Sequence, residues 1–139
     1  MYKKILIAVD GSEHSLRATE EAAKIASLAN GSMVEVVLVA EFSQAKKDVL
    51  HSQGKEELDL SRKQQLLPVE EKLKSYNLTY EIKILHGEPG PTIIKHTNES
   101  EFDLAVIGSR GLNTLQEMVL GSVSHKVVKR VDCPVLIVK

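Results

Sequence analysis

The stretch DLAVIGSRG, residues 103–111, predicts an apolar β-strand that runs directly into a glycine-rich turn. Nine residues separate it from GSVS, residues 121–124, where a helix is predicted to begin. Glycine lets the backbone approach a ligand closely because it has no Cβ. The unpaired N–H groups of a helix's first turn, aided by the helix dipole, favour an anion. The pattern therefore predicts a strand–loop–helix unit that binds a phosphate-bearing ligand such as a nucleotide.

Length and composition indicate an ordinary globular protein. The 139 residues suffice for a single domain, 1–139, with a substantial core. A net charge of −1 and the absence of tryptophan argue against nucleic acid as a partner. The apolar runs are too short for a signal peptide or a membrane span. The single cysteine, Cys133, fits a reducing cytosol and is expected to face the core. We therefore expect a cytoplasmic protein without a membrane partner.

Strand and helix patterns alternate along the chain. The predicted strands lie at residues 5–9, 33–40, 80–84, 104–107 and 135–138. The first helix is predicted to begin after Ser12 as its N-cap and to run to about Ala29, with Leu28 among its apolar positions. Residues 41–56 are predicted to form a surface loop, and Pro68 to kink the second helix or mark its start. The last helix is predicted to present four valines on one face, namely Val123, Val127, Val128 and Val131.

This alternation predicts a parallel sheet with helices on both faces. Ligands of such sheets bind beyond the carboxyl ends of the strands, where the strand order reverses. If the first and fourth strands are neighbours, their ends at Asp10 and Gly108 form the two sides of a crevice. Asp10 is alternatively a helix cap, but Ser12 is available for that role, which favours a ligand. Gly108 and Gly111 are alternatively turn residues, and Arg110 is alternatively a solvated surface charge.

These residues resemble the nucleotide-binding type of universal stress protein. The resemblance rests on the first strand ending in Asp10-Gly-Ser12, on the spacing Gly108-x2-Gly111-x9-Gly121-Ser122, and on the closing run at residues 133–138. It covers the whole chain in length and element order. It implies an α/β fold with a Rossmann-like, five-stranded parallel sheet of order 3-2-1-4-5 between helices, an ATP site and a homodimer.

The resemblance also implies roles for individual residues. Asp10 would bond the ribose hydroxyls, and the backbone of Val39 would meet the adenine. Apart from the resemblance, Ala8 precedes Asp10 by two residues and is expected on the same face, where its small side chain leaves room for a ligand. The phosphates would pass Gly108, Arg110 and Gly111 and be held by the N–H groups and hydroxyls of Gly121, Ser122, Val123 and Ser124. The implied ligand is ATP, with or without a magnesium or manganese ion.

Several functions fit this pattern. The first is a regulatory module that binds ATP; the second is a slow ATPase or phosphotransferase; the third is a dimeric interaction module that binds another adenine nucleotide or none. P-loop, dinucleotide and nucleophile-elbow motifs are absent, and no general base is evident beside the phosphates. The sequence therefore favours binding with slow hydrolysis at most.

Two further expectations concern the surface. The fifth strand, within residues 134–138, is apolar and is predicted to lie at a sheet edge, so we expect a homodimer through this strand. His14 and His125 are interpreted as surface residues of their helices.

Overall fold

The structure, a computed structural model, describes residues 2–40, 55–110 and 121–139, with the side chains of 55–59 excepted. The predicted alternation of strands and helices is confirmed within these residues. The elements are β1 (Lys4–Val9), α1 (Glu13–Ala26), β2 (Met33–Ala40), α2 (Lys55–Ser75), β3 (Thr79–His86), α3 (Pro89–Glu99), β4 (Leu104–Gly108), α4 (Ser122–Arg130) and β5 (Val135–Val138).

The five strands form one parallel sheet of order β3-β2-β1-β4-β5, which confirms the predicted fold class. β1 lies at the centre, where Ala8 pairs with Val37 of β2 on one side and with Ile107 of β4 on the other. The chain moves outward from β1 to β3 and then crosses to β4. The order therefore reverses between β1 and β4, and their carboxyl ends lie side by side.

The continuously apolar β1 is buried on both faces of the sheet. Ile5 and Ile7 join a cluster with α1 and α2, whereas Leu6 and Ala8 join a second cluster with Ile93 of α3. Successive side chains of a strand point to opposite faces, so a run without polar residues suits a strand covered by helices on both sides. This double packing holds the end of β1 in a fixed position.

Helix α1 begins where the sequence predicts and ends earlier. Ser12 is its N-cap, and the Ser12 Oγ accepts a hydrogen bond from the backbone N–H of Ser15 at 3.2 Å. The helix ends at Ala26 and not at Ala29, with Ser27 as its C-cap, and the Ser27 Oγ donates to the carbonyl of Ala23 at 2.7 Å. Leu28 consequently lies beyond the helix and is 76% exposed, so its predicted place on the apolar face is wrong.

The later helices differ from the prediction in local ways. Helix α2 already begins at Lys55, inside the predicted loop 41–56, and residues 41–54 lie outside the described part of the chain. Pro68 lies within α2 and does not mark its start. Val127 of α4 is buried as predicted, but Val128 is 44% exposed because α4 buries only a narrow stripe against the sheet. β3 is an edge strand, as predicted, and its exposure alternates as far as Lys83, but the alternation breaks at Ile84, which is exposed.

Candidate functional site

The carboxyl end of β1 supplies a carboxylate that is held by its own turn. Asp10 is half-buried, and its Oδ1 accepts a hydrogen bond from the backbone N–H of Ser12 at 2.9 Å. Ser12, and not Asp10, is the N-cap of α1. Among the described residues only Ser12 donates to this carboxylate. Since a carboxylate can accept several hydrogen bonds, Asp10 fixes the turn and retains an oxygen for a ligand.

The carboxyl end of β4 is a glycine because α1 leaves no room for a side chain. A Cβ on Gly108 would lie 2.8 Å from the Cβ of His14 and 2.9 Å from its carbonyl carbon. Contacts this short with the backbone of a packed helix require the helix to move. Close packing of α1 against β4 is therefore sufficient to explain this glycine, and no ligand is needed to account for it. The sequence pattern alone did not reveal this packing.

A backbone hydrogen bond joins the end of β4 to the start of α4. The N–H of Gly121 donates to the carbonyl of Ser109 at 2.8 Å, and the N–H of Ser109 donates to the carbonyl of Val138 at 2.7 Å. The start of α4 therefore lies directly beside the end of β4. Gly111 falls outside the described residues, so its predicted role stays a prediction.

The first turn of α4 presents backbone donors. Gly121 is the N-cap and has no side chain with which to cap the helix. The N–H of His125 donates to the carbonyl of Gly121 at 2.9 Å, which is the first hydrogen bond of the helix. Helical geometry leaves the N–H groups of Ser122, Val123 and Ser124 without a carbonyl of the preceding turn. With the helix dipole, these groups form the kind of site that an anion occupies.

The two serines of this turn differ in their surroundings. Ser124 is buried, and its Oγ donates to the carbonyl of Gly108 at 2.6 Å. Its only hydroxyl hydrogen is thus used to hold α4 against β4, and only its backbone N–H remains as a donor for a phosphate. Ser122 is exposed, so its hydroxyl can reach a ligand. The predicted hydroxyl contact is therefore available at Ser122 and not at Ser124 in this arrangement.

The remaining predicted residues lie at the same end of the sheet. Ala8 is buried in the cluster on the α3 and α4 side of the sheet, two residues before Asp10. Val39 is half-buried near the end of β2 and packs against the same cluster. Arg110 is half-buried and directly follows Ser109. The structure thus gathers every described residue of the predicted site at the carboxyl ends of β1, β2 and β4.

His14 also belongs to this region, which sequence reasoning missed. It is half-buried and packs over Gly108, and its Nδ1 lies 3.5 Å from the Oγ of Ser109. The expectation of an exposed surface residue is therefore wrong. Burial lowers the pKa of His14, and the positive charges of Arg110 and Arg17 lower it further. The negative charges of Asp10 and Glu13 raise it by less. Its place in the first turn of α1, directly after the Asp10 turn, was the one signal in the sequence.

A small pocket lies on the other side of the Asp10 turn, between α1 and α2. It has a volume of about 90 Å³ and is lined by residues that include Gly11, Leu16 and Gln65. Neither Asp10 nor the first turn of α4 lines it. In the described ranges, acidic, histidine and cysteine side chains form no group of three or more that could hold a metal ion. Nor does any helix in those ranges have the length and apolar character to cross a membrane.

Comparison with known proteins identifies the family of this chain. The model of the universal stress protein family matches residues 1–139. The chain belongs to the universal stress protein family. The universal stress protein YxiE of Bacillus subtilis is 32% identical over 156 aligned residues that cover all of both chains.

Solved structures show the same fold in other members of this family. The structure of MJ0577, a universal stress protein of Methanocaldococcus jannaschii, is 28% identical with a TM-score of 0.85 and covers 100% of this chain and 96% of its own. A universal stress protein solved in complex with cAMP is 26% identical with a TM-score of 0.72 and covers 99% of this chain and 97% of its own.

Proposed function

We propose that this universal stress protein binds an adenine nucleotide, with ATP as the principal ligand, and acts as a regulatory module in a stress response. The observation that carries the proposal is the hydrogen bond from the Gly121 N–H to the Ser109 carbonyl. It sets the unpaired donors of α4 beside the switch point between β1 and β4, where α/β sheets bind their ligands.

The described residues suit the three parts of a nucleotide. The N–H groups of Ser122, Val123 and Ser124 would hold phosphate oxygens, with the Ser122 hydroxyl as a further donor. Asp10 would accept hydrogen bonds from the ribose hydroxyls through the oxygen that Ser12 leaves unused. The backbone of Val39, at the end of the neighbouring strand, would meet the adenine. Arg110 and Gly111 would continue the phosphate path.

A different adenine nucleotide is the alternative ligand. A relative that matches this chain over 99% of its length was solved with cAMP, and a cyclic monophosphate needs fewer phosphate donors than ATP does. Native mass spectrometry of the purified protein separates these ligands. A retained mass of ATP supports the principal proposal, a retained mass of cAMP supports the alternative, and retention or binding of neither nucleotide contradicts both.

Slow hydrolysis is the most that we propose as chemistry. Phosphoryl transfer depends on placed metal ions, charge clamps and a residue that orients the nucleophile. The described residues of the site supply backbone donors, Asp10 and Arg110, which suit binding better than turnover. When bound with ATP, a magnesium or manganese ion would neutralise phosphate charge.

We further propose a cytoplasmic, single-domain protein that forms a homodimer through β5. All four residues of β5 are apolar and half-exposed at the edge of the sheet. An apolar edge that no described strand covers favours pairing with a second chain, and two antiparallel copies of β5 would form a self-complementary interface. The lone Cys133 is half-buried, and burial raises the pKa of its thiol, which suits a structural residue in a reducing compartment.

A further inference from the structure

His14 lies on the α1 side of the proposed phosphate site. Its backbone and Cβ cover Gly108, and its Nδ1 lies 3.5 Å from the Oγ of Ser109, at the outer limit of a hydrogen bond. The carbonyl of the same Ser109 accepts the N–H of Gly121, the N-cap of α4. Ser109 thus connects the imidazole to the start of α4, whose N–H groups are the proposed phosphate donors.

The charged groups around the imidazole come from three elements. Arg110 follows β4, Asp10 ends β1, and Arg17 and Glu13 lie on α1 with His14 itself. Burial lowers the pKa of His14 below the ordinary 6.5, and Arg110 and Arg17 act in the same direction more strongly than Asp10 and Glu13 oppose them. Near neutral pH the imidazole of the unliganded protein is therefore mostly uncharged.

We propose that His14 takes up a proton when a nucleotide binds, so that the affinity of this site for nucleotide phosphates rises as the pH falls. The inference rests on the proposed function, because it assigns His14 to the same anion site. A bound polyphosphate brings several negative charges into a cleft in which Arg110 and Arg17 otherwise disfavour an imidazolium ion. These charges stabilise the protonated ring, as an opposite charge within a few ångströms does.

The direction of the pH effect follows from linkage. Binding raises the pKa of His14, so the bound state holds more protons than the unliganded state between the two pKa values, and acid favours binding. The gain is fully present below the pKa of the unliganded protein and is lost as the pH rises through the higher pKa of the complex. A rise of about one pKa unit on binding corresponds to a roughly tenfold gain in affinity.

Calorimetric titration of the dimer or monomer as purified, with magnesium-free ATP, measures this effect. Affinities are compared between about pH 5.5 and about pH 7.5 for the wild type, His14→Gln and His125→Gln. Glutamine keeps the Cβ that packs over Gly108 and removes the titration. His125 is exposed on α4 and serves as the matched control, because it lies near the site with its side chain in solvent. The terminal phosphate of ATP itself titrates near pH 6, so the difference between variants carries the result.

We expect the wild type and His125→Gln to gain about tenfold more affinity than His14→Gln on acidification. Equal pH dependence in wild type and His14→Gln, with ATP bound by both, would overturn the inference alone. A wild type that binds no ATP at any pH would overturn the proposed function and the inference together. Should His14→Gln fail to fold, an NMR titration of the wild-type imidazole decides: its pKa must rise when ATP is added, and an unchanged pKa refutes the inference.

Discussion

Replacing Ser124 with alanine tests the contact that holds the anion-binding helix in place. The Ser124 Oγ is buried and donates to the carbonyl of Gly108 at 2.6 Å. Alanine removes this bond and leaves a buried carbonyl with one acceptor site unfilled, which costs about 1–3 kcal/mol of the free energy of unfolding. Ser122→Ala is the matched control, because Ser122 occupies the same turn with an exposed side chain and should change stability by less than about 0.5 kcal/mol.

The two variants should separate stability from binding. In urea denaturation, Ser124→Ala should lower the free energy of unfolding by about 1–3 kcal/mol, which corresponds to several degrees of melting temperature in a chain of this size. Ser122→Ala should keep the stability and lose roughly tenfold in ATP affinity, since a hydrogen bond to a charged acceptor contributes about 1.5–3 kcal/mol. Equal stability of both variants would refute the reasoning about Ser124, and unchanged affinity of Ser122→Ala would refute the hydroxyl contact.

Three further changes test the rest of the account. Gly108→Ala should cost about 1–3 kcal/mol of the free energy of unfolding by forcing α1 away from β4, and unchanged stability in denaturation would contradict the packing argument. Asp10→Asn should keep the bond to the Ser12 N–H, and hence the melting temperature, but weaken ATP binding in calorimetry; full affinity would remove Asp10 from the ribose site. The Pro134 carbonyl accepts from Ala105 of β4, so the N–H of Val135 points to the open edge. Val135→Pro should therefore weaken the homodimer in sedimentation, and a wild type that is monomeric with and without ATP would contradict the dimer.

Val135 is a better position for this test than the centre of β5. Leu136 packs against the core cluster of α1 and α2, and Ile137 packs against the cluster of α3 and α4. A charged residue at either position would damage the core as well as the edge. Val135 also packs against the cluster of α3 and α4, but proline keeps an apolar side chain there and introduces no charge. At the first residue of an edge strand it removes an outward donor, which makes Val135→Pro the sharper test.

Local patterns in the sequence predicted much of the fold. The strand β1 and the edge position of β3 were predictable because burial determines the order of residues in a strand. A strand that is buried on both faces is continuously apolar, and one that is buried on a single face alternates, as β3 does from Thr79 to Lys83. Ser12 was identifiable as a cap because its hydroxyl acts within one turn. The end of α1 was not identifiable, since apolar residues continue to Leu28 while Ser27 ends the helix.

The candidate site was predictable in its location and less so in its contacts. Asp10, Gly108 and Gly121 mark the ends of elements, and the sheet topology brings such ends together. The roles of Gly108 and Ser124 depend on the close approach of α1 and α4 to β4, which is a tertiary contact without a local signature. The contact of His14 with Gly108 is also tertiary, so the local sequence does not distinguish His14 from other helical residues.

The most direct test of nucleotide binding at the start of α4 is calorimetric titration of ATP into Gly121→Val. Gly121 has φ −62° and ψ 157°, an extended conformation that valine also adopts, so the fold should persist while the side chain blocks the approach of a phosphate. Glu88→Val is the matched control, because Glu88 is the N-cap of α3 with a similar backbone and makes no capping bond. The account predicts at least a roughly hundredfold loss of affinity in Gly121→Val and none in Glu88→Val, since two bonds to phosphate are lost. Unchanged ATP affinity in a folded Gly121→Val protein would contradict it.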